Sequence, residues 1–288
     1  TIRGNDGQDR IALTITGISA TASSLDIVAG AGNDTIIISS DETVTESYIG
    51  AGKGGDAFTF VLDGIFQDST LAGGFGEDTL TANGDIKSSL IQLGEGSNAE
   101  TDSADLLQYT GLIQNSSVKG GAGNDTIQGT LEANSTSTVL EGNLGNDTFT
   151  ISATGVFSGF QLRGGAGEDT VNVRASADLV VSSDIYGGKG NDIISGAVTA
   201  MNIIGGEGAD TFTYADSAGT YHYTEGDSEL GMMDLLDMSS TNDAAADGDV
   251  LEFTFASAVT AMSSTAFTAA AAGDVASADI TILTGAYV

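Results

Sequence analysis

The chain has 288 residues and a formal net charge of −32, from 40 acidic residues against 8 basic ones. That balance disfavours contact with nucleic acid phosphates or anionic lipid and makes cations the natural counter-ions. With 41 Gly and no Pro, Cys or Trp, glycine must supply the turns; disulfides and thiolate metal sites are excluded, while oxygen-ligated calcium stays open.

No run approaches the ~20 consecutive apolar residues that span a bilayer, so no transmembrane segment is expected. The N-terminus lacks a starting Met and a basic, apolar signal segment. The chain opens inside a repeat, at Thr1 to Ile11, and is read as a processed product or part of a larger protein.

In chain order, a core of Gly, any residue, Asp, any residue, apolar recurs nine times. Its copies are Gly7/Asp9/Ile11, Gly32/Asp34/Ile36, Gly54/Asp56/Phe58, Gly76/Asp78/Leu80, Gly123/Asp125/Ile127, Gly145/Asp147/Phe149, Gly167/Asp169/Val171, Gly190/Asp192/Ile194 and Gly208/Asp210/Phe212. Two residues earlier stands Gly30, Gly52, Gly74, Gly121, Gly165, Gly188 or Gly206, or else Asn5 or Asn143, all types that tolerate positive φ.

Successive motif aspartates are 25, 22, 22, 47, 22, 22, 23 and 18 residues apart. The interval of 47 holds a degenerate copy, read at Gly94-Glu95-Gly96-Ser97-Asn98, with Asn98 in the Asp position, Glu100 in the apolar one and an insertion over about Asn98 to Asp105.

After each Asp runs a short period-two segment, such as Asp147-Thr148-Phe149-Thr150-Ile151, and upstream lies a second one, such as Val139-Leu140 or Phe160-Gln161-Leu162. A step of about 22 residues therefore predicts two strands and two turns. Strands this short bury their apolar faces only by stacking coil on coil. The expected fold is all-β: a right-handed parallel β-roll or β-solenoid of about ten coils with one metal-binding turn per coil and a C-terminal β-rich cap. The opposite turn, rich in Ser, Thr, Ala and Asn, carries no metal signature.

At the tight turn the glycines let carbonyl oxygens point to one side, next to the Asp carboxylate. Calcium takes six to eight oxygens at about 2.3–2.6 Å, which two turns stacked at about 4.8 Å can supply together. A row of ions along one edge follows. The contrary reading, a metal-free solenoid with ordinary Gly-Asn-Asp turns, must accept the mutual repulsion of stacked aspartates.

Gly120-Gly121-Ala122-Gly123-Asn124-Asp125-Thr126-Ile127 and Gly164-Gly165-Ala166-Gly167-Glu168-Asp169-Thr170-Val171 resemble the nonapeptide of the repeats-in-toxin (RTX) family, GGxGxDxUx, which binds calcium in a parallel β-roll. The resemblance covers roughly residues 4 to 215. It implies that Asp34, Asp56, Asp78, Asp125, Asp147, Asp169, Asp192 and Asp210, with Asp9 at the start of the array, supply carboxylates. Backbone oxygens would come from the paired positions Gly30/Gly32, Gly52/Gly54, Gly74/Gly76, Gly121/Gly123, Asn143/Gly145, Gly165/Gly167, Gly188/Gly190 and Gly206/Gly208. The usual family member repeats every nine residues and binds on both edges; the longer step and single edge here are similar to RTX-type bacterial surface-layer proteins.

Residues 216–288 read as a capping or assembly region beyond the solenoid of 1–215. Val250 to Phe255 and Ile280 to Leu283 alternate as strands, and Ala266 to Ala272 suits a short helix. Asp247-Gly248-Asp249-Val250-Leu251 resembles the segment that closes an RTX block.

The single His, His222, and the lack of a GxSxG elbow leave no catalytic constellation, so no enzyme and no catalytic residue is expected. The leading expectation is a secreted extracellular structural protein whose partner is itself, in a surface layer or filament, with a cell-surface polysaccharide as candidate anchor. The alternative is a calcium-folded secretion module of a larger enzyme, toxin or adhesin. An ice-binding solenoid would need a flat Thr array, and Thr35, Thr79, Thr126, Thr148, Thr170 and Thr211 recur beside the motif Asp. The resemblance implies type I secretion.

Overall fold

The computed structural model describes residues 1–17, 21–95, 103–132, 135–154, 157–175, 180–197, 201–214, 220–224, 235–237 and 250–254. Every strand pairing among them is parallel and joins one coil to the next. They form a parallel β-solenoid with no helix among the described residues.

The segment before each glycine turn builds one sheet of twelve strands, from Ile2–Asp6 through Val139–Leu144 and Gln161–Ala166 to Thr220–Thr224 and Val250–Thr254. The segment after each Asp builds the facing sheet, from Arg10–Ile15 through Thr148–Ala153 and Thr170–Ala175 to Thr211–Tyr214 and Leu235–Asp237.

A third, two-residue strand occupies the corner opposite the glycine turn, at Ala22–Ser23, Val44–Thr45, Ile113–Gln114, Ser135–Thr136, Phe157–Ser158 and Val180–Val181. In two coils it is instead the far end of a longer strand, Ala57–Gln67 or Thr79–Lys87, which runs round the corner. The expected step of two strands is thus corrected to three. Eight turns have all three strands, against about ten coils expected, and two-stranded coils continue the stack beyond them.

Register keeps like residues in columns. Leu140 lies over Leu162, then Ile185, then Ile203, while Ile127, Phe149, Val171 and Ile194 stack in the facing sheet. All eight are at most 2% exposed, and each such side chain taken from water contributes about 1.5–3 kcal/mol. Phe58, Phe60 and Phe66 thicken one coil, with Phe60 and Phe66 edge to face at 5.8 Å.

The corner turn needs a left-handed residue, supplied by Ser24, Glu46, Asp68, Ser88, Asn115, Ser137 and Ser182. Just after it stands a buried hydroxyl column: Ser47, Ser69, Ser89 and Ser116 accept the backbone N–H of the preceding coil's Leu25, Ser47, Ser69 and Ser89 at 3.0–3.2 Å. Each hydroxyl also donates to a carbonyl two residues back, as Ser69 does to Gln67 at 2.6 Å. The Ser- and Thr-rich turn, expected to carry no metal signature, thus carries a hydrogen-bonded ladder. The expected helix at 266–272 and strand at 280–283 lie outside the described residues.

Candidate metal-binding edge

Along the glycine edge, the two motif positions with positive φ stack coil on coil. Gly30 pairs with Gly52 and Gly52 with Gly74; further on, Gly121, Asn143, Gly165, Gly188 and Gly206 form one column. Asn143 holds a φ of 81° and Asn5 one of 92°, so Asn substitutes for Gly where the backbone must be left-handed. At the second glycine of the central motifs there is no room for a side chain: a Cβ on Gly167 would collide with the Gly145 carbonyl oxygen, and one on Gly190 with that of Gly167.

The aspartates stand in single file beside these columns. Each Oδ1 accepts the backbone N–H of the Asp one coil earlier: Asp9 to Asp34 at 2.8 Å, Asp34 to Asp56 at 2.6 Å, Asp56 to Asp78 at 2.8 Å. The file continues through Asp125, Asp147, Asp169 and Asp192 to Asp210 at 2.8–2.9 Å. The repulsion expected of stacked carboxylates is thus partly offset by an N–H between each pair. Backbone rungs flank the same position, with the Thr148 N–H donating to the Asp125 carbonyl and the Thr170 N–H to that of Asp147, both at 2.8 Å.

The degenerate copy is corrected here. The rung above Asp78 is Asp105, not Asn98: the Asp78 N–H donates to Asp105 at 2.7 Å and the Asp105 N–H to Asp125 at 2.8 Å. Ser103 takes the place of the motif Gly, its carbonyl oxygen lying under Gly123. Extra residues between Gly94 and Ser103 stretch this interval to 105 − 78 = 27 residues and leave 125 − 105 = 20 to the next. Asn98 and Glu100 lie outside the described residues. The usable signal was Asp105 followed by the alternation Leu107, Tyr109.

The second carboxylate oxygen is where the chemistry lies. In Asp34, Asp56, Asp147, Asp169 and Asp192, Oδ2 is buried and accepts no hydrogen bond. In the last three it lies against the Cα of the first Gly of the motif: a Cβ on Gly142, Gly164 or Gly187 would collide with the carboxylate of Asp147, Asp169 or Asp192. Burial pushes Asp147 up to about 8, against the lowering effect of the Asp125 N–H and with help from the Asp125 and Asp169 carboxylates. Burial likewise raises Asp192 to about 7 and Asp56 and Asp169 to about 6. A buried carboxylate in this state takes up either a proton or a cation.

An exposed amide ladder runs outside the file. Asn33, Asn124, Asn146 and Asn191 accept the N–H of Gly55, Asn146, Glu168 and Ala209 in the next coil at 2.8–3.1 Å. The frequent Asn before the motif Asp therefore pins neighbouring turns, a role the sequence reading did not assign.

Such an edge offers a hard cation one carboxylate per level beside columns of carbonyl oxygens, with no sulfur or imidazole. Among the described residues no three acidic or His side chains converge, so side chains alone do not make a site and backbone oxygens must complete one. That donor set fits calcium, which accepts carbonyls and carboxylates in flexible numbers, better than zinc. Bound there, the ion would supply positive charge to the buried carboxylates.

Fold and edge together define a parallel β-solenoid with a glycine and aspartate side whose donors suit a hard cation. Within it, residues 26–37, 110–134 and 164–198 match the family model of the RTX calcium-binding nonapeptide repeat, in four copies. These segments therefore carry RTX nonapeptide repeats, a repeat type that binds calcium. No curated protein and no solved structure matches the chain.

Proposed function

We propose that this chain is an extracellular structural protein, a calcium-stabilised solenoid that assembles with copies of itself into a surface layer or filament. The observation that carries this reading is that the repeat and its aspartate file run unbroken from Asp9 to Asp210, so that this whole span is scaffold. In this reading Asp9, Asp34, Asp56, Asp78, Asp125, Asp147, Asp169, Asp192 and Asp210 hold the ions together with the glycine-column carbonyls. Asp105 joins them, residues 216–288 cap or connect the array, and no residue is catalytic.

RTX repeats are typical of proteins exported by type I secretion, and export of an unfolded, strongly acidic chain fits a fold that waits for calcium outside the cell. A cell-surface polysaccharide is the proposed anchor. Electron microscopy of the full chain in chelator and in millimolar calcium tests the reading. Ordered sheets or fibres that appear with calcium support it; dispersed compact particles would transfer the chain to the second reading, a calcium-folded module of a larger secreted enzyme or adhesin.

A further inference from the structure

Charge is distributed unevenly over the two sheets. The outward face of the glycine-side sheet carries acids, and four of its basic residues are tied to them across coils: Arg3 to Asp26 at 2.8 Å, Lys119 and Arg163 to Glu141 at 3.3 Å each, and Lys189 to Glu207 at 2.9 Å. Arg163 also lies over the Tyr186 ring at 5.8 Å.

The other sheet differs. Over the first five residues of its ten strands from Arg10–Ile15 to Thr211–Tyr214, the outward positions that alternate with the core, from Arg10 to Thr213, include no acid, in a chain with 40 of them; Asp63 and Asp85 lie past them, where Ala57–Gln67 and Thr79–Lys87 turn the corner, and Asp237 pairs with Thr213 at the end of the sheet. They are ruled by Thr in adjacent columns, as at Thr148/Thr150 and Thr211/Thr213, with Val61 and Ile193 47% and 48% exposed. Arg10 and Arg174 are the charges among them.

We propose that this acid-free face is where two copies of the chain meet, front to front about a two-fold axis. The inference rests on the self-assembly reading and names its contact surface. Two bodies of net charge −32 repel wherever acids face each other, and like charge across a contact is strongly disfavoured. Here nothing of that sign is present. The paired charges of the glycine-side sheet would have to be desolvated in a contact, which costs more than it returns; Thr, Val and Ile carry no such penalty. Ten strands at ~4.8 Å and five residues at ~3.3 Å give a face of roughly 800 Å², the area per partner of a standard stable interface at about 800 Å².

The test is sedimentation of the full chain in millimolar calcium, wild type against Thr130→Asp/Thr150→Asp, which puts two acids near the centre of the face. Calcium-induced circular dichroism checks folding. The wild type should dimerise or assemble further, and the variant's concentration midpoint should rise at least about tenfold with its folding unchanged. Equal assembly by both overturns the face while leaving self-assembly standing. A wild type that stays monomeric, whatever else the face then binds, overturns both.

Should the acidic variant fail to fold, a thiol decides, because the chain has no Cys. Thr150→Cys should give disulfide-linked dimers in calcium and Gln161→Cys on the opposite sheet should not. Crosslinking by both or by neither overturns the proposal.

Discussion

The backbone N–H of Asp147 donates to Oδ1 of Asp169 one coil later, at 2.8 Å, while Oδ2 of the same Asp169 is buried with no hydrogen bond. One side chain therefore does two things: half of it is a rung of the backbone ladder, and the other half is an oxygen waiting for positive charge. The two roles can be separated. At pH 5 in chelator, Asp169→Ala should lower stability by about 1–3 kcal/mol, the cost of a buried N–H left without an acceptor. Asp169→Asn keeps an acceptor and should unfold in urea like the wild type. Equal losses in the two variants would remove the rung.

Acidity should fold the metal-free chain. Asp147, raised to about 8, Asp192 to about 7, and Asp56 and Asp169 to about 6, bind more protons folded than unfolded, where a carboxyl titrates near 3.9. Their contribution is fully present below about pH 4 and is lost as pH rises through about 6 to 8. Circular dichroism in chelator should thus show β-structure growing as pH falls from 8 towards 4. A signal that is flat, or that grows with rising pH, contradicts this.

Glycine substitutions should divide by position. Gly7 and Gly167 both have positive φ, 112° and 139°, but a Cβ on Gly7 meets nothing within 4 Å whereas one on Gly167 strikes the Gly145 carbonyl. Gly7→Ala should cost only backbone strain, about 1–3 kcal/mol. Gly167→Ala should cost more and raise the calcium midpoint of folding. Thermal melts at saturating calcium compare them.

On the opposite corner, Ser69→Ala removes the acceptor of the Ser47 N–H and should cost about 1–3 kcal/mol in saturating calcium. Per-site calcium affinity by calorimetry should not change, because the hydroxyl ladder and the aspartate file lie on different corners. A large fall in affinity would show that the corners are coupled.

Much of this was legible in the sequence because the repeat binds position to chemistry. Gly167 needs positive φ, Asp169 follows at a fixed offset, and Val171 and Val173 alternate into the core, so turn, site and strand are read together. What stayed hidden lacked a periodic signal. Ser135–Thr136 is too short to alternate, so the third strand was not foreseen. The hydroxyls of Ser47 and Ser69 look like any turn serine until the coils stack. Asp105 was missed because the insertion displaced it from its glycines, and the N–H between successive aspartates follows from register, which no single copy reveals.

Calcium titration of the full chain at pH 8, by calorimetry with circular dichroism, bears most directly on the aspartate edge. Wild type is compared with Asp147→Asn/Asp169→Asn, which keeps the rungs and removes two central charges. The double variant should bind fewer ions and fold at a calcium midpoint at least about tenfold higher, as expected when charge-assisted contacts of about 1.5–3 kcal/mol are lost. The same stoichiometry and the same midpoint in both proteins would contradict calcium binding at this edge.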